Sequence, residues 1–189
     1  MSLDRYVKKR DFNKTAEPQS GKNPEKGNLK FVVQRHHASR LHYDFRLEID
    51  GVLKSWAIPK GPSLNPKDKR LAMMVEDHPY DYCTFEGIIP AGEYGSGVVS
   101  IFDQGTYEPA SGGTERDLKK GLHAGNLKFK LNGKYLKGEF ALVKLKTAEN
   151  NSWLLIKNKD DFAVDIPYDS EDEVSEEVKN KGINFKKKL

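Results

Sequence analysis

The chain has 189 residues, enough to bury one core but short for two, and 37% of them are hydrophobic against 32% charged. No run approaches the roughly 20 apolar residues of a membrane helix, and the start, MSLDRYVKKRDF, lacks the apolar stretch of a signal peptide, so the expectation is a cytoplasmic protein without membrane contact. A single cysteine, Cys83, excludes an internal disulfide and a zinc site built on cysteines. The formal charge of +4 hides an asymmetry: acids crowd the C-terminal end, which leaves a basic body suited to a polyanion, or simply made soluble by surface lysines.

Residues 1–28 are rich in basic and turn-forming types without periodicity, which predicts an N-terminal arm lying over the body or partly mobile. From Leu29 to about residue 165 the chain reads as strands: LKFVVQ, LHYDFRLEI, VLKSWAI, LAMMVE, GVVSIFD, LKFKL, FALVKL and SWLLIK, separated by Gly, Pro, Asn and Asp clusters. Asp50-Gly51 and Asn132-Gly133 have the composition of two-residue hairpin turns. The glycines of AGEYGSGVV lead into a strand and predict a tight hairpin rather than a phosphate cradle. Thr114 can cap one short helix to about Leu122. The fold class is therefore mostly β: a small antiparallel barrel of about eight strands with one or two short helices. Residues 166–189 pass from an acidic block to a basic end, a solvated helix or a disordered tail, or more sharply an internal mimic of nucleic acid.

The stretch HHASRLHYDFRLE carries the chemistry. Alternation puts Leu41, Tyr43, Phe45 and Leu47 on one face of a strand and His42, Asp44, Arg46 and Glu48 on the other. A polar face of this kind ordinarily meets solvent. Here, however, it sets two metal-ligand types at i and i+2, with His36 six residues earlier. Side chains about 6.6 Å apart at their origins can close around one ion, and His36, His42 and Asp44 make a set of two nitrogens and one oxygen with positions left for water and substrate. His37 points the other way and reads as a surface histidine. Arg46 offers a planar fork for a phosphate, or else an ion pair with Asp44 or Glu48. His78 precedes Pro79 and so sits in extended or turn backbone, near Glu76 and Tyr82; a loop histidine without a chemical role is the alternative. Lys60 and Arg70 flank a Pro-rich loop, a weak signal for anion binding.

Taken together, KRDFNKTAEP, FVVQRHHASRLHYDFRLEIDGVLKSWAIPKGPS, RLAMMVEDHPYDYCTFEGIIPAGEYGSG and SWLLIKNKD resemble, in order from about Asp4 to Phe162, the 3′-phosphoesterase domain of bacterial DNA ligase D and its free-standing counterparts. The resemblance implies a manganese-dependent β-barrel nuclease of DNA repair and non-homologous end joining, other divalent transition metals remaining possible. It would remove a 3′-terminal ribonucleotide and then the remaining 3′-phosphate. It further implies His36, His42 and Asp44 as metal ligands, Arg46 and His78 on the scissile phosphate with Tyr82 beside them, Gln34, Lys60, Arg70 and Glu76 as supporting residues, and Arg10, Asp11 and Glu17 as the matching N-terminal segment that helps to bind substrate. The expected partners are primer–template 3′ ends of DNA or RNA–DNA, with a ligase and a polymerase in trans and the protein itself a monomer. Two other readings stand beside this one: a nucleic-acid-binding barrel without catalysis, and a metal-dependent hydrolase of small phosphate esters.

Overall fold

The computed structural model describes residues 3–21, 27–146 and 151–186. In chain order the strands are β1 (Leu29–His37), β2 (Leu41–Ile49), β3 (Val52–Ile58), β4 (Lys69–Met74), β5 (His78–Pro79), β6 (Gly87–Ile89), β7 (Gly97–Pro109), β8 (Asn126–Asn132), β9 (Lys137–Lys144) and β10 (Ser152–Lys157). The helices are α1 (Asp4–Lys8), α2 (Glu115–Ala124) and α3 (Glu176–Lys186). Hydrogen-bonded neighbours run β1–β2–β3–β4–β10–β9–β8–β7, and β7 pairs back to β1, so eight antiparallel strands close a barrel. The eight are the segments whose alternation is visible in the sequence. β5 and β6 are short additions on β3 and β7.

One face of each strand fills the barrel. Phe31 and Val33 of β1, Phe45 and Leu47 of β2, Trp56 of β3, Phe129 of β8, Phe140 of β9 and Trp153 of β10 form a single buried cluster. Trp56 meets Trp153 edge to face, with centroids 5.9 Å apart, a geometry that satisfies both ring quadrupoles.

The turns follow local chemistry, with one correction. Asp50 and Gly51 adopt φ of 61° and 73°, the left-handed pair that a two-residue turn between β2 and β3 requires. Asn132-Gly133, in contrast, does not make a two-residue hairpin: Asn132 pairs with Lys137, and residues 133–136 form the connection. The reason is Asp103 of β7, whose buried carboxylate accepts from the backbone N–H groups of Lys134, Tyr135 and Leu136 at 2.7–3.0 Å and draws Leu136 into the core. Thr114 caps α2 in a capping box with Asp117, and Gly125 ends the helix at φ 75°.

Both ends of the chain lie against the barrel. Tyr6 of α1 is fully buried and its hydroxyl donates to the Pro18 carbonyl at 2.6 Å. At the C-terminal end, Ser170 donates to the Pro62 carbonyl at 2.8 Å, and Glu171 takes a two-pronged contact from Arg35 of β1, 2.8 Å on each oxygen, together with a hydrogen bond from Tyr43 of β2. The acidic block, readable as a solvated tail, is thus anchored by a buried cation.

Candidate active site

Gln34 and His36 of β1, His42, Asp44 and Arg46 of β2 and Ser55 of β3 are out of phase with the barrel core, so they project from the outer wall. The register sets Gln34 opposite Asp44, His36 opposite His42 and Arg46 opposite Ser55. Most of this outer face is covered, His42 alone of these residues staying partly open. The arm and a 3-10 turn, Tyr80–Thr84, cover it with a small apolar cluster that includes Tyr6, Leu53, Tyr82 and Phe85. Arg46 is left 2% exposed and Asp44 8%.

The two histidines have their tautomers set by carbonyl oxygens, which only accept. His36 Nε2 lies 2.8 Å from the Gly95 carbonyl and His42 Nδ1 lies 2.9 Å from the Arg40 carbonyl, so those nitrogens carry the protons. The other ring nitrogens, His36 Nδ1 and His42 Nε2, face the Asp44 oxygens at 3.4 and 3.7 Å. One donor atom from each residue falls within 4.8 Å of the others. Two imidazoles oriented by backbone carbonyls and one carboxylate fit a divalent transition-metal ion.

Beside this set, burial would raise the Asp44 carboxyl, but the Arg46 guanidinium, then His36 and His42, outweigh it and hold the group well below the usual carboxylate range. Arg46 itself is locked. Its Nε donates to Gln34 at 2.7 Å, one Nη to Ser55 at 2.9 Å and the other to Asp44 at 3.0 Å, over the Tyr82 ring at 4.7 Å. Gln34 is held in turn by the carbonyls of Tyr82 and Phe85, at 3.1 and 2.8 Å.

His78 completes the wall. Its Nδ1 donates to the Glu76 carbonyl at 3.0 Å and approaches Ser55 Oγ at 3.3 Å, which leaves Nε2 with its lone pair toward Arg10, 3.4 Å away. Burial first, then Arg46 and Arg10, push the imidazole well below its ordinary value, so it is neutral at pH 7. Arg10 reaches this point from the arm: it packs over the Tyr6 ring at 3.8 Å and donates to Glu17 at 2.8 Å and to Glu76 at 3.4 Å. Glu17 also accepts from the Tyr82 hydroxyl at 2.8 Å.

Residues 34–144 match the family described as the DNA Ligase D 3′-phosphoesterase domain. The chain belongs to that family. It is 51% identical over 162 residues to the multifunctional non-homologous end joining protein LigD of Pseudomonas aeruginosa, covering 84% of this chain and 19% of that protein. It is also 45% identical over 165 residues to the multifunctional non-homologous end joining DNA repair protein LigD of Mycobacterium tuberculosis, covering 86% and 21%. The LigD of Mycolicibacterium smegmatis is 42% identical over 160 residues, covering 84% and 21%. The chain therefore spans about a fifth of the length of these relatives.

Within this phosphoesterase-family chain, the structure brings together Gln34, His36, His42, Asp44, Arg46, His78 and Tyr82 from the barrel side, Arg10 and Glu17 from the arm, and Glu76 between them. Three other candidates stand apart. Asp11 is turned outward, capping the Asn13 N–H at 3.1 Å and pairing with Lys14 at 3.3 Å. Arg70 of β4 shares the phase of Ala72 and donates at the barrel end to the Tyr168 carbonyl at 2.7 Å, away from the outer wall. Lys60, exposed after β3, lines with Arg70 a separate cleft of about 330 Å³.

Two parts of the cluster carry no signal in the sequence. Ser55 looks like an ordinary small residue beside Trp56, and only the cross-strand register with Arg46 and the loop carrying His78 give it work. Lys9, which donates to Glu76 at 3.0 Å, reads as one more arm lysine. Among the described residues, no helix is long and apolar enough to cross a membrane.

Proposed function

We propose that this protein is a metal-dependent 3′-end-healing phosphoesterase that removes 3′-terminal ribonucleotides and then 3′-phosphates from DNA, leaving a 3′-hydroxyl for a polymerase or ligase in end joining. The observation that carries this reading is the convergence of donor atoms from His36, His42 and Asp44, with a guanidinium fixed alongside by three acceptors. Family membership supplies the reaction class, and the donor set suits manganese or a related ion.

His36, His42 and Asp44 would hold the ion, and an ion held there supplies Lewis acidity toward a phosphate oxygen. The protein's own groups explain why one is needed. Lys9, Arg10 and Arg46 are matched by Glu17, Asp44 and Glu76, so these side chains together have no formal excess of positive charge to attract a phosphate. Arg10 lies beside His78 Nε2 and Arg46 is linked to His78 Nδ1 through Ser55, and both would orient the nonbridging oxygens by their planar forks. His78 Nε2 enters the reaction as an acceptor. An anionic phosphate beside the two guanidiniums would ease their pressure on the imidazole and raise its affinity for a proton, which equips it to hydrogen-bond the leaving oxygen.

The test is a labelled primer–template ending in one ribonucleotide, incubated with manganese or with EDTA and resolved on a gel. The expected products with manganese are first the shortened strand bearing a 3′-phosphate and then the 3′-hydroxyl strand, with neither in EDTA. His42→Ala should lose both steps and, by calorimetry, lose manganese binding, while its unfolding free energy stays within about 1 kcal/mol. Uncut primer in every metal-containing lane, with binding that survives EDTA, would support a nucleic-acid-binding barrel without catalysis instead.

A further inference from the structure

The connection between β6 and β7, residues 90–96, touches the cluster at two points. Its Gly95 carbonyl orients His36, and its Tyr94 hydroxyl accepts from Lys9 at 3.0 Å. Lys9 also lies 4.4 Å from the Tyr94 ring centroid, and the Arg10 guanidinium, itself 3.4 Å from His78, lies at 5.5 Å. Tyr94 is therefore one residue from the carbonyl that sets a candidate metal ligand, and one side chain from His78.

Its environment differs from that of the other tyrosines here. Tyr6 and Tyr82 are buried and spend their hydroxyls on a carbonyl and a carboxylate, whereas Tyr94 keeps 48% of its surface open. Among the described residues, the exposed large apolar side chains include two aromatic rings, Tyr94 and Phe162. Phe162 lies in a different cleft, with Lys137 and Asn132. An exposed ring steadied by a cation costs little entropy to use as a contact, and every nucleobase offers a flat π-face.

We infer that Tyr94 is the stacking platform for a nucleobase flanking the scissile phosphate. This rests on the phosphoesterase reading and adds to it a contact outside the reacting atoms. The phosphate is gripped by groups that every nucleotide would satisfy equally. The ring supplies the nucleoside with a surface tolerant of all four bases, and Lys9, tied to both Tyr94 and Glu76, holds that surface against the arm. A small phosphate ester lacking a base gains nothing from it.

The experiment compares wild type, Tyr94→Leu and Tyr94→Phe on primer–templates carrying one 3′-terminal ribonucleotide, with the normal bases, with an abasic terminal ribose, or with an abasic site just upstream. KM and kcat are measured with manganese. Kd is measured in EDTA by fluorescence anisotropy, so that the contact is read even if no cleavage occurs. Tyr94→Leu should raise KM and Kd about tenfold on the fully based end with kcat altered less, and Tyr94→Phe should restore both constants. The penalty should vanish when the partner base is the one removed. A Phe variant as impaired as the Leu variant would assign Tyr94 to latching the arm through its hydroxyl, and a Leu penalty that persists on both abasic ends would equally overturn the stacking assignment. A wild type that binds with base dependence but never cleaves would overturn the phosphoesterase reading while leaving the stacking contact standing.

Discussion

At the scale of single residues, the cluster is a set of side chains each with more than one partner, so substitutions propagate. Arg46 uses Nε and both Nη groups on Gln34, Ser55 and Asp44. A lysine retains the charge but can reproduce only part of that geometry. Arg46→Lys should lower turnover tenfold or more, about 1.4 kcal/mol of transition-state stabilisation. Because the same side chain hydrogen-bonds Asp44, it should also weaken manganese affinity in a calorimetric titration. Ser55 is the quieter case. Its Oγ donates to the Leu53 carbonyl at 3.0 Å, which leaves lone pairs for Arg46 and His78. Ser55→Ala should strand a buried guanidinium donor, cost about 1–3 kcal/mol in urea unfolding, and reduce kcat more than KM, because both groups proposed to face the phosphate lose a common anchor.

At the scale of elements, the C-terminal segment offers a pH test. Burial pushes the Glu171 carboxyl up, but hydrogen bonds from Arg35 and Tyr43 outweigh it and leave the group below its ordinary 4.5. A carboxyl lowered on folding contributes stability that is complete above its unfolded value and fades as pH falls below it. Glu171→Gln should therefore lower Tm at pH 7, and the gap to wild type should narrow at pH 4. The strands themselves were legible. Alternation in LHYDFRLEI separates the core face of β2 from its polar face, because a period of two admits no other placement once Phe45 and Leu47 must be buried. The Asn132-Gly133 loop was not legible as built, since its length is set by a carboxylate on another strand, Asp103. Likewise the docking of Glu171 depends on Arg35, far away in sequence. Local patterns report local periods, and these contacts exist only after the barrel closes.

At the scale of the molecule, the charges within the cluster balance, so on the proposed reading attraction for a long polyanion would fall to the rest of the chain, whose formal net charge is +4. A primer–template should be processed faster than the same strand alone, and the advantage should shrink steeply as salt rises, because each phosphate contact releases counterions. Rates measured on both forms from low to physiological salt will check this, and equal rates throughout would favour a small-ester hydrolase. The sequence conveyed the surplus of basic residues but not the distribution of the site's own charges, since Lys9 and Arg10 offset Glu17 and Glu76 only when the arm is seated.

The outward placement of the chemical face of β2 also decides what can be admitted. A site in the mouth of a barrel would have to be entered along the barrel axis, and its rim would sort molecules by width. On the outer wall, flanked by the 3-10 turn and the arm, the strand end of the proposed substrate would arrive from the side while the rest of the duplex extended away into solvent, however long it is. Length is thus no criterion for this protein. On the proposed reading a terminus would be recognised as a terminus, on an oligonucleotide or on a chromosome, without any part of the polymer having to be threaded or released.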